Sequence, residues 1–180
     1  MKNIIKDVTK DVIKGVIIKE ALPEDAEARI AYARQVGSET DNLSFGKEGF
    51  PISLEEEQEE IRTFSKDPKS VCYFAWKNGK LVGSGELRAF SRRMSHRAEL
   101  GLTVVKAEWN SGIGTKLMQK LIDYAGENDV ELINLEVRGD NSRAIHLYEK
   151  FGFKKVGTLP AYFKIGEEYI DFDSMVLDLR

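Results

Sequence analysis

The apolar positions of the chain switch period several times, and the switches divide it into elements. Ile4, Ile5, Val8, Val12 and Ile13 recur at helical spacing with Gly15 as a stop, so residues 1–15 are expected to be a helix, with a strand as the alternative that their β-branched content keeps open. Val16-Ile17-Ile18-Lys19-Glu20 reads as a strand. Pro23 opens a helix expected to run to Val36 and to end at Gly37, with Glu24 and Asp25 suited to its first turn. Residues 38–52 hold Gly46, Gly49 and Pro51 and read as a loop. Ser53 and Glu56 match a capping box, and the helix they open is expected to turn Leu54, Ile61 and Phe64 inward and to leave the acidic run 55–60 in solvent. Residues 71–76 form a strand, Asn78-Gly79 a hairpin turn, and residues 81–90 the return strand, in which Gly83 and Gly85 point to a bulge or a close neighbour. A basic loop, 91–97, leads into a third antiparallel strand, 98–105.

Beyond it the pattern changes to strand and helix in alternation. Ile113, Leu117, Met118, Leu121, Ile122 and Ala125 form a helical stripe, residues 132–137 a buried-type strand. Asn141 caps a second helix with Ala144, Ile145, Leu147, Tyr148 and Phe151 on one side and Gly152 at its end. Two tail strands, 154–159 and 168–179, are expected to join through Pro160 and Tyr162. The fold class is therefore α+β, a mixed and mostly antiparallel sheet flanked by helices. One domain, 16–180, carries an N-terminal extension, 1–15.

Composition narrows the function classes. Over 180 residues, 42% are hydrophobic and 32% charged, which describes a folded soluble domain. The net charge of −3 argues against a nucleic-acid binder. The single cysteine, Cys72, allows no internal disulfide and suits a reducing cytoplasm, where it reads as a small buried strand residue. Lys6, Asp7, Lys10, Asp11 and Lys14 interrupt the N-terminal apolar positions, so neither a signal peptide nor a membrane-spanning helix is expected. His96 and His146 lack metal-ligand spacing with each other or with Cys72, and no metal is expected.

Chemistry concentrates in residues 102–115, a strand feeding a glycine-containing loop into a helix N-terminus. Such a junction offers free N–H groups and a favourable dipole to an anion. By itself it suits either a phosphate site or merely a tight turn. A Walker loop and a dinucleotide fingerprint are both excluded, the first because Gly112-Ile113-Gly114-Thr115-Lys116 has the wrong spacing, the second because Leu117 stands where a third glycine is needed.

The stretch Asn141-Ser142-Arg143-Ala144-Ile145-His146-Leu147-Tyr148-Glu149-Lys150-Phe151-Gly152-Phe153 resembles the C-terminal signature of the GNAT N-acetyltransferases, Asn-x-x-Ala-x-x-Leu-Tyr-x-Lys-x-Gly-Phe. The family's cofactor loop, Gln/Arg-x-x-Gly-x-Gly/Ala, falls on Trp109-Asn110-Ser111-Gly112-Ile113-Gly114, with Trp109 in place of the usual first residue. The resemblance implies an acetyl-CoA-dependent N-acetyltransferase with no metal. It implies that acetyl-CoA enters between splayed strands, with backbone groups of Leu102, Thr103 and Val104 on the pantetheine and acetyl group. Trp109, Asn110, Ser111, Gly112, Ile113, Gly114 and Thr115 would wrap the pyrophosphate, and Asn141 would bond the pantetheine or the reaction centre. A neutral primary amine, of a small metabolite or a protein N-terminus, would attack the thioester directly through a tetrahedral intermediate.

An amine with a reference pKa of about 10.4 must first lose a proton, which a carboxylate in a partly desolvated cleft can take. Glu136, facing away from Ile133, Leu135 and Val137, is the first candidate base, and Glu99 on the adjacent strand is its rival. Tyr148 is the proposed acid for the departing sulfur. A non-catalytic acyl-CoA-binding module is the alternative from another class. Tail strands in the family often pair, so a homodimer is also an expectation, with no membrane partner.

Overall fold

The computed structural model describes residues 12, 13 and 15–180, the first two as backbone alone. In chain order the elements are β1 (Val12–Ile13), β2 (Val16–Glu20), α1 (Ala26–Glu39), α2 (Leu54–Phe64), β3 (Val71–Lys77), β4 (Lys80–Ala89), β5 (Arg97–Val104), α3 (Ile113–Glu127), β6 (Leu132–Arg138), α4 (Ser142–Lys150), β7 (Lys154–Ile165) and β8 (Glu168–Asp178). The eight strands form one sheet in the order β1-β2-β3-β4-β5-β6-β8-β7, antiparallel throughout except where β5 meets β6. The α+β class expected from the pattern is what forms. The helix expected over 1–15 falls mostly outside the described residues, and the part within them, Val12–Ile13, is strand β1, paired with β2 across Gly15 at φ 76°.

Alternation along β4 decides which helix covers which face. Gly83 and Gly85 lie under α3, where an added Cβ would stand 3.0 Å from Ile113 Cγ2 and 3.1 Å from Leu121 Cδ1. Their glycines are thus the close-packing kind, and Leu117, Met118 and Leu121 become fully buried above them. Ser84 and Glu86 point to the opposite face, which α1 and α2 cover with Tyr32, Val36, Ile61 and Phe64. The β3–β4 turn has Asn78 at φ 51° and Gly79 at φ 73°, the left-handed pair that an Asn-Gly hairpin accommodates.

Three local expectations are corrected. Gly37 does not end α1, which continues to Glu39. Its missing side chain instead admits the returning loop that follows α1, since a Cβ there would lie 2.0 Å from the Gly46 carbonyl oxygen. Gly37→Ala should therefore lower stability by about 1–3 kcal/mol through overpacking, read as a shifted denaturation midpoint, and an unchanged midpoint would contradict this packing. In α2, Leu54 is 41% exposed whereas Glu57, expected in solvent, is fully buried. Glu57 shares the i, i+4, i+7 stripe of Ile61 and Phe64, and Arg29 neutralises it there; Leu54 lies a turn beyond that contact. Finally, β7 does not stop at Leu159. It passes through Pro160 and Tyr162 to Ile165 by a bulge with Ala161 at φ 52°, which an edge strand tolerates because its outer N–H groups need no partner.

Candidate active site

Strands β5 and β6 pair only at Arg97–Glu99 against Leu132–Asn134, and then diverge. Val105 donates its N–H to Val82 on the β4 side, at 3.0 Å. By alternation Leu102 and Val104 turn their backbone groups toward the gap, whereas those of Thr103 face β4. Of the three backbone positions expected to meet the cofactor, Leu102 is thus free at both groups and Val104 at its N–H. The Val104 carbonyl already accepts the Trp109 indole N–H at 2.8 Å. Thr103 contributes its hydroxyl, which meets the Tyr32 hydroxyl at 2.9 Å.

The loop beyond β5 turns sharply over the end of α3. Asn110 at φ 62° and Gly112 at φ 93° are both left-handed, and Gly112 is the N-cap. The first backbone bond inside the helix runs from Lys116 to Gly112, so the N–H groups at Gly114 and Thr115 remain for an anion. Ser111 and Ile113 do not line the cleft: Ser111 donates its hydroxyl to the Glu108 carbonyl at 2.6 Å, and Ile113 is buried under Gly83. Trp109 fixes the loop from two sides, through its bond to Val104 and through the Arg143 guanidinium stacked 4.0 Å from its ring. Arg143 brings the first turn of α4 against the same loop. The Asn141 side-chain oxygen accepts from the Ala144 N–H at 3.3 Å, which leaves its amide NH2 for a ligand.

These elements enclose a cleft of about 1070 Å³. Tyr148 lines it from α4 and is 7% exposed. Burial pushes its phenol up to about 12, and among the described residues its hydroxyl has no hydrogen-bond partner. On the other face of the sheet, Glu136 is exposed and accepts from the Tyr162 hydroxyl at 3.3 Å, which the β7 bulge delivers. Partial burial, the Glu136 charge and a hydrogen bond to Glu136 hold the Glu99 carboxyl above the usual carboxylate range. Glu136 lines the cleft, and Glu99 meets it without lining the cleft itself. A splayed strand edge with free backbone groups, a helix N-terminus and an unpartnered buried phenol suit a long, polar, phosphate-bearing thioester, so the residues present fit acetyl-CoA. Among the described residues no group of three or more His, Cys, Asp or Glu could hold a metal ion.

Comparison with known proteins settles the family. Residues 38–153 match the model of the acetyltransferase (GNAT) family, which is more than half of the chain. The chain belongs to the GNAT family. The L-amino acid N-acetyltransferase AaaT of Escherichia coli is 34% identical over 96 residues, 52% of this chain and 59% of that protein. The N-alpha-acetyltransferase RimI of Mycobacterium tuberculosis is 33% identical over 88 residues, 48% of this chain and 54% of that protein. The chain thus spans little more than half the length of these relatives. A crystal structure of a GNAT acetyltransferase from Streptococcus pneumoniae superposes with a TM-score of 0.88 at 29% identity, covering 92% of this chain and 99% of that one.

In this GNAT chain Cys72 lies in the core and does not line the cleft. Burial pushes the Cys72 thiol up to about 12, and His146 is exposed at the cleft mouth. Residues not anticipated from the pattern also line the cleft: Arg29, Tyr32, Glu86 and Arg138. Their positions depend on contacts across the sheet, and no local motif marks them. No helix among the described residues is long and apolar enough to cross a membrane.

The Glu99–Glu136 contact makes a pH prediction. The Glu136 charge raises the Glu99 pKa, so Glu136→Gln should let Glu99 ionise at lower pH, and any rate limb due to Glu99 should move the same way. Carboxyl NMR titration of Glu99 checks this; an unmoved titration would show the two carboxylates to be uncoupled.

Proposed function

We propose that this GNAT chain transfers an acetyl group from acetyl-CoA to a primary amine. The observation that carries the proposal is the β5–β6 divergence, which leaves Leu102 backbone groups unpaired beside the α3 N-terminus and the Tyr148 phenol. The Leu102 and Val104 N–H groups orient the acetyl and pantetheine end, and Asn110, Gly112, Gly114 and Thr115 hold the pyrophosphate. The amine enters from the α1 face and loses its proton to the Glu136–Glu99 pair, directly or through water. Its nitrogen bonds to the acetyl carbon and gives up its second proton to solvent, the carbon–sulfur bond breaks, and CoA leaves as a thiolate that takes a proton from solvent. Acetyl-CoA supplies the activated thioester, and the chain needs no acyl-enzyme step.

Tyr148 takes a narrower role than that of a full acid. Its pKa of about 12 stands three to four units above a thiol's roughly 8.5, so complete proton transfer to the sulfur is uphill. The phenol acts instead as a hydrogen-bond donor to the developing thiolate. The two relatives are named as an L-amino acid N-acetyltransferase and an N-alpha-acetyltransferase, which supports an α-amine acceptor here. The test is thiol release from acetyl-CoA in the presence of a primary-amine panel. Saturable release with an N-acetylated product is the expected result. Tight CoA binding with no release from any amine would make the chain an acyl-CoA-binding module.

A further inference from the structure

On the acceptor side of the cleft, one carboxylate is held in a fixed place by a buried relay. Arg29, 7% exposed, donates Nη1 to Glu57 at 2.6 Å and Nη2 to Glu86 Oε2 at 3.1 Å. Glu57 is fully buried and its second oxygen has no partner. Arg29 is therefore fixed from behind, and its remaining Nη group aims Glu86 into the cleft. Glu86 pairs in register with Gly101 on β5, and a Cβ at Gly101 would stand 3.1 Å from Glu86 Cγ. The glycine lets the Glu86 side chain lie across β5 toward the gap. Arg29 occupies one Glu86 oxygen, and no described group bonds the other, Oε1.

The charge around Glu86 is negative and its cations are committed. Glu99 feels the charges of both Glu136 and Glu86, so the three carboxylates share one region. Arg29 is paired with Glu57 and Glu86, Arg88, which also acts on Glu99, with Glu60 at 2.8 Å, and Arg138 with Asp140 at 2.6 and 2.9 Å. Arg143 belongs to α4, on the α3 side, where it stacks on Trp109. A free amino acid would bring its own carboxylate into this anionic region with no uncommitted arginine to receive it. An amine whose neighbouring carbon carries an amide would bring only its positive charge.

We propose that Glu86 binds the acceptor's ammonium group, that Arg29 and Glu57 are positioning residues for it, and that the acceptor is an α-amine bearing an amide in place of a carboxylate. This inference rests on the acetyltransferase reading and separates the chain from the E. coli relative named for L-amino acids.

Alaninamide and alanine, compared as acceptors by thiol release, provide the test. Wild-type protein should favour the amide by about tenfold or more in kcat/KM, the size expected for one charged carboxylate meeting an unpaired one. Glu86→Gln should raise the KM for the amide about tenfold, with a smaller change in kcat, and shrink the preference. Gly101→Ala, which displaces Glu86 without removing charge, should act in the same direction. CoA affinity by calorimetry should stay unchanged in both variants, which shows that the fold is intact. A wild-type preference for alanine, or an unchanged KM and preference in Glu86→Gln, overturns the role of Glu86 and leaves the transferase reading standing. Absence of release from every amine despite CoA binding overturns both.

Discussion

Tyr148→Phe is expected to slow acetyl transfer about a hundredfold while leaving CoA affinity nearly unchanged, the loss typical of one hydrogen-bond donor to a developing anion. The asymmetry follows from how the residue is held. Its ring packs against Phe153 at 5.8 Å and the backbone around it closes α4, so phenylalanine keeps the shape of the wall. The hydroxyl has no described partner, so its removal strands no other group. Burial raises the phenol to about 12, so it keeps its proton well above the ordinary tyrosine value of about 10, and no loss of rate from Tyr148 ionisation should occur near that pH. Single-turnover thiol release compared with calorimetric CoA binding checks both parts. Unchanged turnover would remove Tyr148 from the mechanism.

The largest expected loss of stability comes from Arg29→Met, at about 3–5 kcal/mol, because it leaves the buried Glu57 carboxylate uncompensated. Burial already holds Glu57 above the usual carboxylate range, with Arg29 pulling it back down. Without the guanidinium the folded pKa rises further above the unfolded value of about 4.3. The folded state then binds the proton more tightly than the unfolded chain, so the variant's stability is greatest in acid and is lost as pH rises through the folded pKa. Denaturant unfolding at neutral and mildly acidic pH should therefore show a smaller deficit in acid. A second substitution, Glu57→Leu, should recover most of the loss by replacing the pair with apolar contact. A deficit independent of pH would mean that the pair does not govern this site.

Signals contained within a few residues are legible in the sequence. Ser53 and Glu56 form their reciprocal cap, Asn78-Gly79 turns the hairpin, and Asn141 and Gly152 bracket α4. The elements of the candidate cofactor side, one strand, one loop and two helix starts, are legible for the same reason, whereas a cofactor there was implied only by the family resemblance. Partners distant in sequence are not legible. Gly37 carries the local signature of a helix end, yet its role is set by Gly46 on the returning loop. Glu57 is one acid in an acidic run, and only Arg29, 28 residues away, makes it a core residue. Glu86 sits in an ordinary strand, and its use depends on Gly101 across β5 and Arg29 above it. Trp109 departs from the family pattern, and only the fold shows that it ties Val104 to Arg143.

The most direct test of the central claim, that the β5–β6 gap holds the thioester, is an amide-resolved NMR titration of the nitrogen-labelled protein with acetyl-CoA. Saturable shifts at Leu102, Val104, Gly112, Gly114 and Thr115, with β2 amides unmoved, are predicted. Saturation without any shift at Leu102 or Val104, or shifts confined to another face of the sheet, would contradict it.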